Sequence, residues 1–580
     1  MQILRRAILL VATLFCLVPV AQAGVPTVGL SQAPGVDFWP RENEAPQDVI
    51  RRCLLQYGVA HILPGTYQFT APLSVPYSNI RITGTKGAKL KPSTSSVGLF
   101  SFTGDRITLD GFAVEVSTYT NDQSVIKFTS SDDITVNNVT MDVTTSSGSS
   151  SNPLTLVHFV TSANKKITGN SFFPNTGVRI LYDESNDLDT TTITQAGSGL
   201  QVIGNYFGTD NMSYTETPRN CYRVMQLLGT EFNVIVGNRF WQMGAKTTAE
   251  LDKVIFIRKH GNLAISGAGS FDLIESGHMM ILGNTFERCA SPSIIELWGA
   301  GSCDIVGNVI GLSAKLSDGD GCSNAAGEGA IQIYGDDGTR TGIKTETCLI
   351  SGNELHNLAT AATDGAFIYA TRIQSLKITG NSFQVCSSNN AIRIDGNKTE
   401  RTVITSNTFR SATGASKAIN IVNVNSDGQL VDGLLISNND FEGFAAGNPI
   451  AVDSVFTTAS GRRVVVTGLQ DTITGNDATA LANWTNSFTS TNITFETATD
   501  IIKDSTTALG VAGFAVGDQI LVRGSSVAGN NKLYDIIAVT TGTPSSVQLN
   551  ANITDDLTSG ESIILYKVAH VTTTNVRLDQ

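Results

Sequence analysis

A short motif recurs along most of the chain and constrains its fold more than any other feature. Two or three apolar or β-branched residues precede Gly-Asn or a close variant of it, and in most copies a spacer residue and Phe follow. Successive copies lie 24 to 46 residues apart. Repetition at a period of about 20 to 50 residues predicts a solenoid. The copies contain Asn170, Asn205, Asn238, Asn284, Asn308, Asn353, Asn381, Asn407, Asn439 and Asn476.

A second stretch of alternating apolar residues precedes most copies of this motif, as in VIFIRK, IIELWG and AIQIYG. Each repeat therefore contains at least two short strands joined by turns, with no helix between them. One such unit cannot bury its apolar face, so stacking of the repeats must form the core. Because parallel strands stack about 4.8 Å apart, we expect the motif Asn residues to lie in one column as a structural ladder of amides.

The segment before the repeats predicts one helix. Val49, Ile50, Cys53, Leu54 and Tyr57 fall at helical spacing, and a glycine follows as a helix stop. Together with the recurring GN-x-F turns, this segment resembles the pectate-lyase-like superfamily of right-handed parallel β-helices over roughly residues 40–490. That superfamily includes phage tailspikes and secreted polysaccharide lyases and hydrolases, and its N-terminal helix caps the open end of the coils.

The resemblance implies an all-β fold, a single-stranded right-handed parallel β-helix with an N-terminal capping helix. After about residue 490 the Gly-Asn-Phe motif gives way to short alternating strands separated by Gly-rich turns. That change predicts a small C-terminal β-barrel or sandwich module, similar to modules of phage tail proteins. We therefore expect three regions: residues 1–23, 24–490 and 491–580.

The first region, residues 1–23, has the features of a secretory signal peptide: basic residues, an apolar run and an A-x-A ending. We therefore expect a secreted protein, extracellular or displayed on a cell or virion surface, without membrane insertion. The formal net charge of -12 argues against nucleic acid as a partner. The cysteines after the apolar run are odd in number and scattered, which favours buried thiols over a disulfide framework or a zinc site.

Catalytic motifs give less guidance than the repeat. The polygalacturonase branch of the superfamily uses NTD, DD, GHG and RIK motifs in order, and this chain has only fragments such as GDD and RID in another order. No Ser, His and Asp elbow is present, so acyl-transfer chemistry has no support from the sequence.

Candidate site residues follow from aligning the second strand of each repeat by its distance to the next Gly-Asn turn. Two columns of outward side chains result. The first reads Gln226, Phe256, Asp272, Glu296, Gln332, Ile368, Arg393, Asn420 and Ala451. The second reads Leu228, Arg258, Ile274, Trp298, Tyr334, Ala370, Asp395, Val422 and Asp453.

This alignment makes Asp272 and Glu296 neighbours at about 5 Å, a separation used by retaining glycosidases. One hypothesis is therefore a polysaccharide hydrolase or depolymerase with Glu296, Asp272 and Glu275 as catalytic carboxylates. Trp298 and Tyr334 would carry sugar rings on their flat faces. The substrate would also contact two residues of the same columns, Arg258 and Gln332.

Two alternatives stay open. A lyase would use Arg258, Lys259 or His260 as base and charge neutraliser beside a calcium ion held by Asp272 and Glu275, whereas the hydrolase requires no cofactor or metal. A protein of another class, a non-catalytic adhesin or structural spike, would bind glycans without cleaving them. The resemblance to tailspikes also implies a homotrimer.

Overall fold

Three parallel sheets run along the chain in a computed structural model. The structure describes residues 25–93, 98–117, 119, 123–144, 153–175, 177–184, 197–209, 221–241, 243, 253–258, 276–287, 289, 293–311, 329–335, 345–358, 366–385, 390–395, 399, 401–411, 418–422, 434–442, 450–452, 464–467, 487–506, 514–516, 519–523, 525–527, 530, 533–550, 553–554 and 563–568. Every statement about the fold refers to these residues.

Each coil passes through sheet 1, sheet 2 and sheet 3 in turn, and each strand pairs in parallel with its equivalents in the neighbouring coils. Sheet 1 comprises Thr27–Val28, Val59–Ile62, Ile80–Gly84, Ile107–Asp110, Asp132–Asn137, Ala163–Thr168, Gly197–Ile203, Thr230–Glu231, Asn233–Val236, Ser276–Leu282, Ala300–Val306, Thr345–Ser351, Ile373–Thr379, Thr402–Thr405, Leu434–Ser437 and Val464–Thr467. Sheet 2 comprises Gly65–Phe69, Ala88–Pro92, Ala113–Val116, Thr140–Val143, Ser171–Phe173, Tyr206–Gly208, Arg239–Trp241, Thr285–Glu287, Val309–Gly311, Glu354–Leu358, Ser382–Val385, Thr408–Ser411 and Asp440–Glu442.

Sheet 3 completes each coil and carries the candidate site residues. It comprises Leu73–Val75, Phe100–Phe102, Ser124–Thr129, Leu154–Val160, Val178–Glu184, Arg223–Leu228, Lys253–Arg258, Ser293–Trp298, Gly329–Tyr334, Ala366–Thr371, Asn390–Asp395, Ile419–Val422 and Ile450–Val452. Parallel crossover connections are right-handed. The fold is therefore the predicted right-handed parallel β-helix.

An amide ladder runs through the turns between sheets 1 and 2. At Asn284, Nδ2 donates hydrogen bonds to Oδ1 of Asn308 (3.0 Å) and to the carbonyl oxygen of Ile235 (2.8 Å). Its Oδ1 accepts hydrogen bonds from the backbone N–H and from Nδ2 of Asn238, both at 2.9 Å. The same links join nine motif residues from Asn170 to Asn439, which confirms the predicted ladder. The tenth predicted member, Asn476, lies outside the described residues.

The Phe of the motif forms a second column, inside the core of sheet 2. Rings from neighbouring coils stack face to face, at 4.5 Å between the centroids of Phe240 and Phe286 and 4.8 Å between those of Phe383 and Phe409. These separations follow the spacing of the strands because equivalent residues lie directly above one another. Both the Asn and the Phe of the motif are therefore explained by stacking.

A helix, α1 (Pro46–Tyr57), covers the N-terminal end of the coils as predicted. Val49, Ile50 and Cys53 are buried, and Gly58 adopts the left-handed conformation (φ 69°) that ends the helix. Tyr57 departs from the predicted inward stripe and is 53% exposed. Its ring packs edge-on against Phe38 at the surface, with 5.8 Å between the centroids.

Two cysteines correct the expectation of buried thiols. Cys303 and Cys348 occupy paired positions on neighbouring strands of sheet 1 and form a disulfide bond. They are 45 residues apart in sequence, so only the stacking of the coils brings them together. Cys53, Cys221 and Cys289 are buried and form no disulfide, as expected.

The C-terminal region forms a separate sheet of seven antiparallel strands with its own apolar core. Its first strand begins at Ser487, four residues before the expected start of the module at residue 491. In spatial order the strands are Ser487–Ser490, Ile563–Val568, Gln519–Arg523, Leu533–Thr540, Ser545–Leu549, Ile501–Asp504 and Ile493–Glu496.

Candidate functional site

The outward face of sheet 3 brings together four of the seven predicted site residues. Side chains alternate along a strand, so Ile295 and Leu297 point into the core while Glu296 and Trp298 point outward. The first outward column contains Lys127, His158, Tyr182, Gln226, Phe256, Glu296, Gln332, Tyr369, Arg393 and Asn420. The second contains Glu184, Leu228, Trp298, Tyr334, Thr371 and Asp395, together with the backbone positions of Arg258 and Val422.

The predicted place of Asp272 in the first column is wrong. Strand Lys253–Arg258 pairs directly with strand Ser293–Trp298, so Phe256 is the neighbour of Glu296 on one side and Gln332 on the other. Seventeen residues separate Arg258 from the next strand, Ser276–Leu282, whereas one residue separates Trp298 from Ala300–Val306. Counting back a fixed distance from the Gly-Asn turn at Asn284 therefore does not reach sheet 3. Asp272 and Glu275 lie outside the described residues, as does the side chain of Arg258.

A one-residue error affects the next coil. Tyr369 and Thr371 occupy the positions predicted for Ile368 and Ala370. Ile368 points into the core and is fully buried. Tyr369 therefore adds an aromatic side chain to the outward face.

Glu296 lies at the centre of the described face and is 4% exposed. Its Oε2 accepts a hydrogen bond of 3.2 Å from Oγ of Ser293, on the same strand. Gln332, the next residue in the column, is also buried and accepts a 3.3 Å hydrogen bond from Oη of Tyr334. Both polar side chains are therefore held in defined orientations by neighbours on their own strands.

An aromatic row crosses four successive coils beside Glu296. The centroid separations are 6.5 Å from Phe256 to Trp298, 5.2 Å from Trp298 to Tyr334 and 5.5 Å from Tyr334 to Tyr369. Trp298, Tyr334 and Tyr369 each keep part of their surface exposed. Tilted rings of this kind offer apolar faces together with polar edges. Trp298 and Tyr334 were predicted as neighbours from the sequence, whereas Tyr369 was not predicted.

Guanidinium groups stand at both ends of the aromatic row. Arg393 lies over the ring of Tyr369, with 5.8 Å from Cζ to the centroid, and Arg223 lies over the ring of Phe256 at 4.3 Å. Further along the column, Arg179 donates a 2.9 Å hydrogen bond to Oε1 of Gln226. The face therefore carries guanidinium groups at both ends of the aromatic row, on a protein whose net charge is -12.

Metal and membrane features add no further site. In the part of the chain that the structure describes, no three His, Cys, Asp or Glu side chains are grouped so that they could hold a metal ion. No described helix is long and apolar enough to span a membrane.

The three parallel sheets define the class of protein as a parallel β-helix, and the outward face of sheet 3 is its candidate site. Neither a model of a known protein family nor a curated protein matches the chain. Among solved structures, it is similar to a mutant tailspike protein of Escherichia coli bacteriophage HK620 in complex with a hexasaccharide. Identity is 14%, 93% of each chain is covered and the TM-score is 0.49.

Two further structures show weaker similarity. PfbA, a surface adhesin of Streptococcus pneumoniae, matches with 12% identity and a TM-score of 0.43, over 70% of this chain and 90% of the adhesin. The A-module of a mannuronan C-5 epimerase from Azotobacter vinelandii matches with 10% identity and a TM-score of 0.35, over 69% of this chain and 95% of the module.

Proposed function

We propose that the outward face of sheet 3 binds a polysaccharide. The observation that carries the proposal is the aromatic row from Phe256 to Tyr369 next to the buried polar pair Glu296 and Gln332. Sugar rings present C–H faces that pack on aromatic rings and hydroxyl groups that bond to carboxylate and amide oxygens. Because the aromatic row continues over four coils, it suits an extended polysaccharide better than a small ligand.

The charge at the ends of the row favours an acidic polysaccharide. Guanidinium groups bind carboxylates in a planar, bidentate geometry, and Arg393 and Arg223 stand at the two ends of the row. The surrounding negative charge of the protein would repel an acidic chain from the other faces.

We further propose that Glu296 acts as a catalytic acid in glycosidic hydrolysis. Hydrolysis requires a second carboxylate, at about 5–5.5 Å for retention or 6.5–9.5 Å for inversion. The column neighbours of Glu296, Phe256 and Gln332, are not carboxylic acids. The partner would therefore come from outside this column, and the sequence offers Asp272 and Glu275. In the lyase alternative, Arg258 would act beside a calcium ion held by Asp272 and Glu275.

A non-catalytic adhesin or spike is the second candidate function. It is favoured by the hydrogen bond that Ser293 donates to Glu296 and by the apolar and amide neighbours of that carboxylate in its column. These contacts would also be expected if Glu296 only orients a bound glycan. The same face then serves binding alone.

A screen of acidic polysaccharides and bacterial capsules separates the three outcomes. Shortening of the chains without ultraviolet-absorbing unsaturated ends indicates a hydrolase, unsaturated ends indicate a lyase, and binding without shortening indicates an adhesin. Glu296→Gln should remove most hydrolysis while Glu354→Gln, an exposed carboxylate on sheet 2, should not. Retention of full activity in Glu296→Gln would refute the catalytic role.

Binding is tested by a second pair of variants. Trp298→Ala should weaken binding of the polysaccharide by roughly 2- to 10-fold, since a ring contact contributes about 0.5–1.5 kcal/mol. Tyr77→Ala removes an aromatic side chain that is 46% exposed outside sheet 3 and should leave affinity unchanged. Equal affinities for the two variants would count against the proposed face.

We also propose that the protein is secreted and forms a homotrimer. The signal-like N-terminal sequence and the Cys303–Cys348 disulfide support secretion to an oxidising compartment, outside the cell or on a cell or virion surface. A homotrimer would let the sides of slender rods bury one another. Light scattering on the mature protein should give three chain masses, and a value of one chain mass in dilute solution would contradict the trimer.

A further inference from the structure

A chain of hydrogen bonds links Ser124, His158 and Glu184 across three neighbouring coils of sheet 3. Oγ of Ser124 lies 2.9 Å from Nδ1 of His158, and Nε2 of the same ring lies 2.8 Å from Oε1 of Glu184. The three residues are 34 and 26 positions apart in sequence. Stacking of the coils brings them together, so no local motif reveals them.

The contacts fix the roles of the two ring nitrogens. A carboxylate accepts hydrogen bonds, so Nε2 of His158 carries the proton that it donates to Glu184. In the neutral ring Nδ1 is then an acceptor, and the Ser124 hydroxyl donates to it. Burial lowers the pKa of His158, an effect that Glu184 opposes, so the neutral imidazole is favoured at neutral pH. A neutral base hydrogen-bonded to a hydroxyl, with a carboxylate behind it, has the arrangement of a nucleophile-activating triad.

The surroundings hold the imidazole in place. Tyr182 stacks on the His158 ring with 4.7 Å between the centroids, and the guanidinium of Arg179 lies 3.5 Å from the centroid of Tyr182 on its strand. The His158 and Glu184 side chains keep 11% and 13% of their surface exposed. Ser124 is half-buried on the outward side of the sheet, so it is accessible to a substrate while the ring of His158 stays fixed.

Two side chains with hydrogen-bond donors for an oxyanion occupy the register position of Ser124 on the next two strands of sheet 3. Thr155 occupies the position next to Ser124 on the following strand, and Arg179 occupies it one coil further on. Nε of Arg179 donates a 3.2 Å hydrogen bond to Oγ1 of Thr155 and Nη1 donates a 2.9 Å hydrogen bond to Oε1 of Gln226, so these two contacts use two of the five guanidinium N–H groups. Positively charged and hydroxyl donors stabilise the oxyanion of acyl-transfer intermediates.

We propose that Ser124, His158 and Glu184 form a second catalytic site, which hydrolyses carboxylic esters. Ser124 is the nucleophile, His158 the general base and acid, and Glu184 the group that orients His158. The ester substrate class follows from the triad alone. Its natural form, acyl groups carried on sugar hydroxyls, rests on the proposed function of the same sheet in binding polysaccharide.

The reaction balances with water as the co-reactant. Oγ of Ser124 bonds to the ester carbonyl carbon while its proton passes to Nδ1 of His158. The carbon–oxygen bond to the alcohol then breaks, and the departing oxygen takes the proton from His158. Water attacks the acyl-serine with the same base, which releases the carboxylic acid and restores the Ser124 hydroxyl.

The test uses hydrolysis of p-nitrophenyl acetate by the full-length protein, which does not depend on glycan binding. We expect Ser124→Ala and His158→Gln to lose on the order of 100-fold or more of the rate, the usual contribution of a nucleophile and its base. Ser101→Ala removes an outward serine from the same sheet and should retain the wild-type rate. A wild-type rate no faster than that of Ser124→Ala would overturn the proposal.

Covalent labelling gives a readout that a structural role would not produce. A fluorophosphonate should modify the wild-type protein at Ser124, as located by peptide mass spectrometry, and His158→Gln should abolish the modification. This experiment holds even if Ser124→Ala does not fold, because the labelled protein is the wild type. Absence of label at Ser124 would refute the site, while glycan binding by the aromatic row would be unaffected.

Discussion

Replacement of a single ladder residue, Asn284→Ala, should destabilise the β-helix far more than the loss of an ordinary amide. The substitution removes the acceptor for two N–H groups of Asn238 and the donor to the carbonyl oxygen of Ile235. All three lie in the core, where water cannot replace the lost partner. Leaving a buried donor unsatisfied costs about 1–3 kcal/mol. The two orphaned donors together therefore predict a loss of roughly 2–6 kcal/mol in the free energy of unfolding.

Unfolding in urea is monitored by tryptophan fluorescence. The unfolding midpoints of the variants are converted to free energies with one shared m-value. Gln201→Ala is the matched control because it removes an exposed amide from the outward side of sheet 1. Surface changes of this kind usually alter stability by no more than about 0.5 kcal/mol. A loss in Asn284→Ala below about 1 kcal/mol, comparable to the control, would refute the account of the ladder as a fully satisfied buried network.

Three further changes test the core, the disulfide and the histidine. Lys165→Met should lower the free energy of unfolding by about 3–5 kcal/mol, because it leaves the fully buried Asp183, 2.7 Å from Lys165, without its counter-charge. Full recovery of stability should require Asp183→Asn as well. Wild-type stability of Lys165→Met in thermal melts would contradict this prediction. Cys303→Ser should lower the free energy of unfolding by about 2–4 kcal/mol through loss of the bond to Cys348, and dithiothreitol should destabilise the wild type but not the variant. Acidification from pH 7 to pH 5 should also destabilise the protein. Burial lowers the pKa of His158 below its usual 6.5, so the unfolded chain takes up a proton that the folded chain does not. If the stability of His158→Gln fell as much as that of the wild type over this pH range, the assignment to His158 would be contradicted.

The features of the fold that sequence reasoning predicted are those that repeat in every coil. The amide ladder and the Phe stack depend on contacts between equivalent residues of neighbouring turns, so a motif that recurs in sequence reports them directly. The capping helix was also predictable because its apolar spacing and its terminal Gly58 are local signals.

The site was only partly predictable because the loops of a solenoid vary in length without disturbing its strands. Trp298 and Tyr334 were placed correctly as neighbours, whereas Asp272 was assigned to a column in which Phe256 lies beside Glu296. The variation in loop length also conceals contacts between residues that are distant in sequence. Neither the Cys303–Cys348 bond nor the contacts of Ser124 with His158 have a fixed spacing by which the sequence could reveal them.

The proposed role of sheet 3 as the glycan-binding face is tested most directly by a crystal structure of the protein with an oligosaccharide fragment of a polysaccharide that it binds. We predict saccharide rings packed on Trp298, Tyr334 or Tyr369, with hydroxyl groups within hydrogen-bonding distance of Glu296 or Gln332. Saccharide bound only to sheet 1, to sheet 2 or to the C-terminal sheet would contradict the central claim.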